Sequence, residues 1–176
     1  MKFCKTPLQD VYVIELDRLE DDRGFYARGW CQREFSENGM KLPFVQANMS
    51  FSKKKGTLRG MHYQEQPHYE AKLMRCINGA IYECVIDLRP GSATYKKSYG
   101  VELSAENRKM LFVPGGFANG FLTLEDNSEV FYQVTEFYHP ESECGVRFDD
   151  PAFGIEWPIA PVSISDKDRN WPDFDA

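Results

Sequence analysis

Long apolar runs and an excess of basic residues are both missing from this chain of 176 residues. No stretch approaches the roughly 18 consecutive apolar residues of a membrane span, and residues 1–20 lack the basic start and apolar centre of a secretory signal. Lysine and arginine total 21 against 27 acidic residues, which gives a formal net charge of -6. A surface of that sign repels nucleic-acid phosphates and anionic lipids. We therefore expect neither a nucleic-acid nor a membrane partner.

Paired cysteines and linker segments are missing as well. The five cysteines are an odd number and no two are spaced as Cys-x-x-Cys, so neither a disulfide framework nor a zinc knuckle is indicated. No Gly/Ser-rich linker, charge block or fixed-period repeat divides the chain. A chain of 176 residues also suits one buried core. These features predict a single domain over residues 1–176, located in a reducing cytoplasm.

The chain does contain many short β-branched and aromatic runs, separated by turn residues such as Asn78-Gly79. Runs of this length and spacing predict an all-β sandwich or barrel, and a double-sheet jelly roll fits their number. A short helix is predicted over residues 31–38 and ends at Gly39, whereas the proline-rich tail after Trp157 predicts no regular structure. The predicted strands cover residues 11–15, 24–30, 45–51, 56–63, 71–78, 80–88, 95–103, 109–113, 118–123, 128–137 and 145–148.

Histidine is scarce too, since the chain has three. Metal-dependent jelly rolls of the cupin type commonly bind their ion through two histidines one residue apart, a carboxylate, and a later histidine after a Pro-Gly turn. Here Gln64 stands two residues after His62, and Asn119 occupies the later position. One imidazole and two amides are a poor ligand set for a divalent transition metal. We expect no catalytic metal and no other cofactor, which argues against a cupin oxygenase.

The most informative segment is Gly56-Thr57-Leu58-Arg59-Gly60-Met61-His62-Tyr63-Gln64, followed by Lys72. It places one titratable imidazole beside two fixed cations, a combination that can remove a proton and stabilise the anion that results. A lone histidine in an aromatic strand is more often a packing residue. The catalytic interpretation of His62 therefore depends on the motifs that surround it.

Those motifs, taken in order, resemble the dTDP-4-dehydrorhamnose 3,5-epimerase family over nearly the whole chain. The resemblance implies a cupin-type double-stranded β-helix (jelly roll) with one or two short helices and no metal. It also implies a homodimer formed by N-terminal strand exchange. The implied activity is epimerisation of a nucleotide-linked 4-keto-6-deoxyhexose at C3 and/or C5, in deoxysugar or surface polysaccharide synthesis. The motifs are Asp22-Arg23-Gly24-Phe25, Gln46-Ala47-Asn48, Leu58–Gln64, Lys72-Leu73, Val85–Arg89, Val113–Ala118, Tyr132 with Tyr138, Gly154–Pro158 and Ser165-Asp166-Lys167-Asp168.

The resemblance assigns roles that suit the chemistry of such an inversion. A C4 ketone acidifies the hydrogens on C3 and C5, because the carbanion delocalises as an enolate. His62 would be the base and Asp168 the carboxylate that orients it, with Asp166 the competing position. Tyr132 would be the acid, since a neutral phenol can protonate an enolate. Lys72, together with Arg59, would lie near the developing oxyanion.

The implied substrate contacts are cationic, polar and aromatic. Cations at family positions would meet the diphosphate or the adjacent sugar, polar side chains would bind other ligand atoms, and one ring would stack on the base. These are Arg23, Arg59 and Lys167; Gln46, Asn48 and Glu143; and Tyr138. His68 and His139, beside Pro67 and Pro140, are interpreted as exposed loop histidines.

Two residues depart from the family pattern. Asn119 replaces a histidine, and an amide donates hydrogen bonds but exchanges no proton near neutral pH. An epimerase that inverts C3 alone, or a catalytically inactive sugar-nucleotide-binding protein, is therefore an alternative. Arg28 stands where the family usually has a glutamate that accepts the thymine N–H. Because arginine only donates, we hypothesise a nucleotide other than dTDP, either CDP or GDP, unless Arg28 turns toward a phosphate or solvent.

Overall fold

A computed structural model describes residues 1–40 and 43–174 as two packed β-sheets and a separate hairpin. The strand order is β1-β2-β10-β7-β12-β5 in the first sheet and β13-β6-β11-β8-β9 in the second, where β14 pairs with β6 in parallel. The elements are β1 (Lys2–Lys5), β2 (Tyr12–Glu15), β3 (Arg18–Asp21), β4 (Gly24–Ala27), α1 (Gln32–Glu37), β5 (Gln46–Ser52), β6 (Thr57–Gln64), β7 (Lys72–Asn78), β8 (Ala80–Asp87), β9 (Ser98–Ser104), β10 (Met110–Val113), β11 (Phe117–Thr123), β12 (Ser128–Val134), a 3₁₀ turn (Pro140–Ser142), β13 (Glu143–Gly145), β14 (Ser163–Ile164) and α2 (Asp166–Arg169).

The main core lies between the two sheets, where apolar side chains from both inner faces meet. Met74, Leu111 and Val130 come from the first sheet, and Ile81 and Leu103 from the second; all five are buried. Burying these faces against each other removes apolar surface from water and fixes the two sheets as a sandwich. The predicted all-β, cupin-type jelly roll is confirmed.

Every predicted strand overlaps an observed one, and α1 ends before Gly39, which has a φ of +84° as expected of a helix stop. The prediction missed β1 and β3, and it was wrong for the tail, which contains β14 and α2. The tail prolines do not prevent these elements, because they fall at 158, 161 and 172, on either side of them. No helix within the described residues is long and apolar enough to span a membrane.

The hairpin of β3 and β4 pairs with neither large sheet. Each residue of β3 is exposed, and so are the first three residues of β4. Among its exposed side chains are Leu19, at 69% exposure, and Tyr26, at 68%. A two-stranded hairpin is marginally stable by itself in water, so this one offers an apolar surface that the rest of the described chain leaves uncovered.

Candidate active site

A cavity of about 540 Å³ opens between the two sheets, within the range of small-molecule sites. Its lining includes apolar side chains, among them Met74, Phe121 and Val130, and several charged ones. Many of the predicted site residues line it, contributed by β6, β7, β11, β12 and α2: Arg59, His62, Lys72, Asn119, Tyr132, Lys167 and Asp168.

His62 and Asp168 form a close pair on one wall. Nε2 of His62 lies 2.6 Å from Oδ1 of Asp168, and the Asp168 side chain is 6% exposed against 33% for the imidazole. An Nε2–H that donates to this carboxylate leaves Nδ1 unprotonated, with a lone pair available to accept a proton. The arrangement is that of a general base oriented by a carboxylate.

Two glycines allow the close packing of β6 and β11 beside the His62–Asp168 pair. Gly60 has a φ of +124°, and a Cβ there would lie 2.5 Å from the Cα of Gly120 on β11. The β6–β11 ladder also changes register between Asn119 and Phe121. The paired strands β6 and β11 can approach this closely because neither glycine has a side chain. The Gly60 N–H then donates to Oδ2 of Asp168 at 3.3 Å.

The environment of Asp168 keeps it anionic. Burial raises its pKa, but the hydrogen bond and charge of His62, the Gly60 N–H and Ser165 together lower the pKa below its usual value. Ser165 is the N-cap of α2, and its hydroxyl accepts the Asp168 N–H at 3.1 Å. The competing carboxylate, Asp166, is exposed, and of the two it is Asp168 that the fold brings to His62.

Lys72 begins a hydrogen-bonded series that runs from the cavity into the core. Its Nζ lies 2.9 Å from Oε1 of Glu70 and donates to Oδ1 of Asn119 at 2.7 Å. The Asn119 amide in turn donates to Oε1 of Glu83 at 3.0 Å. The Asn119 side chain therefore accepts a hydrogen bond from Lys72 and donates one to Glu83, and it positions the Lys72 ammonium.

Glu83 is a residue that the sequence interpretation missed. It is fully buried on β8, and its Oε2 has no hydrogen-bond partner among the described residues. Burial raises its pKa to about 8, although Asn119 and Lys72 act in the opposite direction. At neutral pH the carboxyl is thus mostly protonated. A single acidic residue inside the apolar run of residues 80–86 was the available signal.

Tyr132 lies on β12 of the opposite sheet from His62, and both side chains line the cavity. Burial and the Glu70 carboxylate raise the pKa of its phenol, while Arg59 acts weakly in the other direction. The hydroxyl is therefore protonated at neutral pH. A base on one wall and a neutral acid on the other are the two groups that inversion of a carbon centre requires.

Further predicted contacts lie beside the cavity. Glu143 accepts a hydrogen bond from the Tyr138 hydroxyl at 2.7 Å and pairs with Lys167 at 2.5 Å. Burial raises the pKa of Glu143, but these two partners lower it overall. On β5, the Gln46 amide donates to Asn48 at 2.9 Å. Strand alternation places both on the face of Ser50, which lines the cavity.

The structure does not bring Arg23 and Arg28 into this cavity. Arg23, at the turn of the β3–β4 hairpin, pairs with Asp21 at 2.6 Å and is 90% exposed. Arg28 pairs with Glu34 of α1 at 2.9 Å. Arg59 does line the cavity, and its guanidinium donates to Ser52 and to the Phe51 carbonyl.

The Gln64 amide, two residues after His62, is bound to main-chain groups of two loops. This buried amide donates to the carbonyls of His68 and Phe137 and accepts the His139 N–H. His62, Gln64 and Asn119 are therefore not arranged as a ligand set for a metal. Within residues 1–40 and 43–174, one group of three possible ligand residues has its ligand atoms within 4.8 Å of one another, and it consists of His68, Glu136 and His139.

Comparison with known proteins gives a family match and close relatives. The profile described as dTDP-4-dehydrorhamnose 3,5-epimerase matches residues 5–176. The dTDP-4-dehydrorhamnose 3,5-epimerase of Methanothermobacter thermautotrophicus is 46% identical, over 97% of this chain and 92% of that protein. The crystal structure of that enzyme from Elizabethkingia anophelis has a TM-score of 0.96 at 42% identity, covering 99% and 96% of the two chains. The Legionella pneumophila dTDP-6-deoxy-D-glucose-3,5-epimerase, in complex with dTDP-4-keto-L-rhamnose, has a TM-score of 0.89 at 37% identity, covering 95% and 89%.

Proposed function

The chain belongs to the dTDP-4-dehydrorhamnose 3,5-epimerase family, and on that premise we propose that it inverts C3 and C5 of a dTDP-linked 4-keto-6-deoxyhexose. Its place would be in cytoplasmic deoxysugar synthesis. The observation that carries the proposal is the cavity itself, in which the His62–Asp168 pair faces Tyr132 from the opposite sheet. Lys72 lies on the same cavity.

These positions support the following reaction. Nδ1 of His62 takes the proton from C3 or C5, and the C–H electron pair moves into the ring to form an enolate at C4. The Asp168 carboxylate stabilises the imidazolium, and the Lys72 ammonium stabilises the negative oxygen. Tyr132 then protonates the carbon from the opposite face, and the C4 ketone re-forms. One proton leaves and one returns, so the carbon is inverted without a net redox change.

The choice of dTDP rests on relatives and on Arg28. The Legionella pneumophila relative is described in complex with dTDP-4-keto-L-rhamnose. The argument for CDP required the Arg28 guanidinium to face the base, but Arg28 is held by the Glu34 carboxylate. That hydrogen bond raises the pKa of Arg28. Within one chain, the Arg28 guanidinium therefore binds Glu34 and lies outside the cavity.

We also propose that two copies form a homodimer through their N-terminal segments. The β3–β4 hairpin, which pairs with neither large sheet, has exposed apolar side chains and carries Arg23 at its turn. Met49 and Phe51 on the edge strand β5 are exposed as well. A partner that covers these surfaces would bury apolar area and would bring Arg23 toward a diphosphate. Strand β1 pairs with β2 of its own chain, so the hairpin is the better candidate for the exchanged element.

A second candidate function is inversion of C3 alone, favoured by Asn119. Its amide is committed to Lys72 and Glu83, and it provides no second proton-exchanging group. The substrate would then leave the cavity with C5 unchanged. The nucleotide, the base and the enolate chemistry are the same in both candidates.

Solvent exchange tests these assignments. The enzyme is incubated in D₂O with dTDP-, CDP- and GDP-linked 4-keto-6-deoxyhexoses, and NMR locates the deuterium. We expect incorporation at C3 and C5 of the dTDP sugar, fastest among the three nucleotides. Deuterium at C3 alone supports the second candidate. Exchange with no substrate by a folded protein would reject epimerase activity and favour a binding protein, whereas faster turnover of the CDP sugar would restore the hypothesis on Arg28.

A further inference from the structure

Two of the three histidines lie in loops that the fold brings together outside the cavity. His68 is in the loop between β6 and β7, and His139 precedes the 3₁₀ turn before β13. Their rings are stacked, with centroids 3.5 Å apart and planes 13° apart. Glu136 completes the group, and one possible ligand atom from each of the three residues lies within 4.8 Å of the others. All three residues are half-buried.

The buried amide of Gln64 holds together the two loops that carry this cluster. Gln64 is 3% exposed, and it binds main-chain groups of both loops, at distances of 3.1 Å to His68, 3.0 Å to Phe137 and 2.6 Å to His139. Because these contacts are to backbone atoms, the two loops are held in place whatever their side chains do. The two stacked rings are therefore carried by loops whose backbones are joined through Gln64.

Hydrogen bonding also orients one of the imidazoles. Nδ1 of His139 lies 3.1 Å from Oε1 of Glu141, and its Nε2 lies 3.9 Å from Oε1 of Glu136. A carboxylate on one ring nitrogen fixes the tautomer and directs the other nitrogen's lone pair, as second partners do for metal-bound histidines. In this arrangement Glu141 orients the ring, and Nε2 faces the cluster.

We propose that His68, Glu136 and His139 bind a divalent transition metal, with Zn²⁺ as the probe ion. A set of two imidazoles and one carboxylate favours Zn²⁺ over Mg²⁺ or Ca²⁺, because the latter two ions prefer oxygen ligands. Bond lengths of about 2.0 to 2.2 Å would bring the ligand atoms to roughly 3.4 Å from one another. The rings must open from their parallel stack to converge on one ion, which side-chain rotation permits. Water completes the coordination.

This site is separate from His62 and goes beyond the proposed epimerisation. Its effect is on the segment that follows β12, in which Tyr138 lies between Phe137 and His139 and donates to Glu143. Metal bound to Glu136 and His139 holds that segment at two points. Because the ion binds the folded chain and the unfolded chain lacks the cluster, it raises the unfolding temperature.

The test measures zinc binding by the full chain after removal of metal with chelator. Isothermal titration should give one Zn²⁺ per chain, accompanied by a rise in unfolding temperature. His68→Gln and His139→Gln should each weaken binding by more than roughly 100-fold, and Glu141→Gln by about 10-fold to 100-fold, the range for residues that orient a ligand. His62→Asn is the matched control, since it removes the third histidine, and it should leave affinity unchanged within about twofold.

Three results would overturn the site. The first is no binding by the folded wild type in excess zinc. The second is undiminished binding by folded His68→Gln and His139→Gln variants, which would locate the ion elsewhere. The third is loss of binding in His62→Asn, which would move the ion into the cavity. Circular dichroism of each metal-free variant checks that the fold is retained.

Discussion

The cavity and the stacked pair hold the chain's three histidines in different ways. In the cavity, His62 has one buried carboxylate behind it, and a phenol and an ammonium line the same space. In the loops, His68 and His139 stack on each other, and their backbones are bound by Gln64. The first environment orients one imidazole toward an open cavity. The second brings two imidazoles and a carboxylate together, so we propose proton transfer for the histidine of the first region and ion binding for those of the second.

The strongest test of this contrast is His62→Asn. Removal of the base should reduce epimerisation by about 10³-fold, within the range for general-base catalysis, measured as the rate of deuterium incorporation from D₂O. The unfolding temperature should fall modestly, because the ring is one third exposed but the buried Asp168 carboxylate loses its hydrogen-bond donor. A rate within tenfold of wild type would show that another group removes the proton.

The next largest effect is expected for Tyr132→Phe, which removes the acid and keeps the ring. Product formation should fall about 100-fold, while exchange at the substrate carbons should fall less, because His62 still removes a proton and returns one from the same face. NMR of substrate and product in D₂O separates the two rates. Equal losses of exchange and inversion would argue against an acid on the opposite wall.

The third prediction concerns the buried Glu83 and the pH dependence of the free energy of unfolding. Its pKa is about 8 in the folded chain against an ordinary value of 4.5, so between these values unfolding releases a proton. Stability should therefore fall as pH rises from about 4.5 to about 8, by up to ~1.4 kcal/mol per pH unit, and then level off. Glu83→Gln should remove this dependence. Urea unfolding of both proteins across that window measures it, and parallel curves would contradict a protonated Glu83.

The smallest expected effect is that of His68→Gln and His139→Gln on catalysis. In buffer with chelator, each variant should epimerise at a rate within about twofold of wild type, because neither ring lines the cavity. The D₂O assay measures this directly. A loss of epimerisation rate comparable to that of His62→Asn would show that the stacked histidines take part in catalysis.

Local patterns predicted much of the fold and part of the site. Short apolar runs and turn residues indicated strands because alternation and chain reversal are encoded locally. The tail was missed because strand β14 depends on pairing with β6, which no local pattern reveals. Glu83 was missed because burial, and not residue type, shifts its pKa. The hypothesis on Arg28 needed the position of Glu34, since an ion pair depends on geometry.

By itself, the sequence determined the class of fold, the family resemblance and the residue types able to remove and return a proton. The tertiary structure decided which of these groups meet. It placed Asp168, and not Asp166, behind His62 and joined Lys72 through Asn119 to a buried carboxyl. It also stacked two histidines that are distant in the chain. The physical reason is that hydrogen bonds, ion pairs and desolvation act over a few ångströms in space, whatever the separation along the chain.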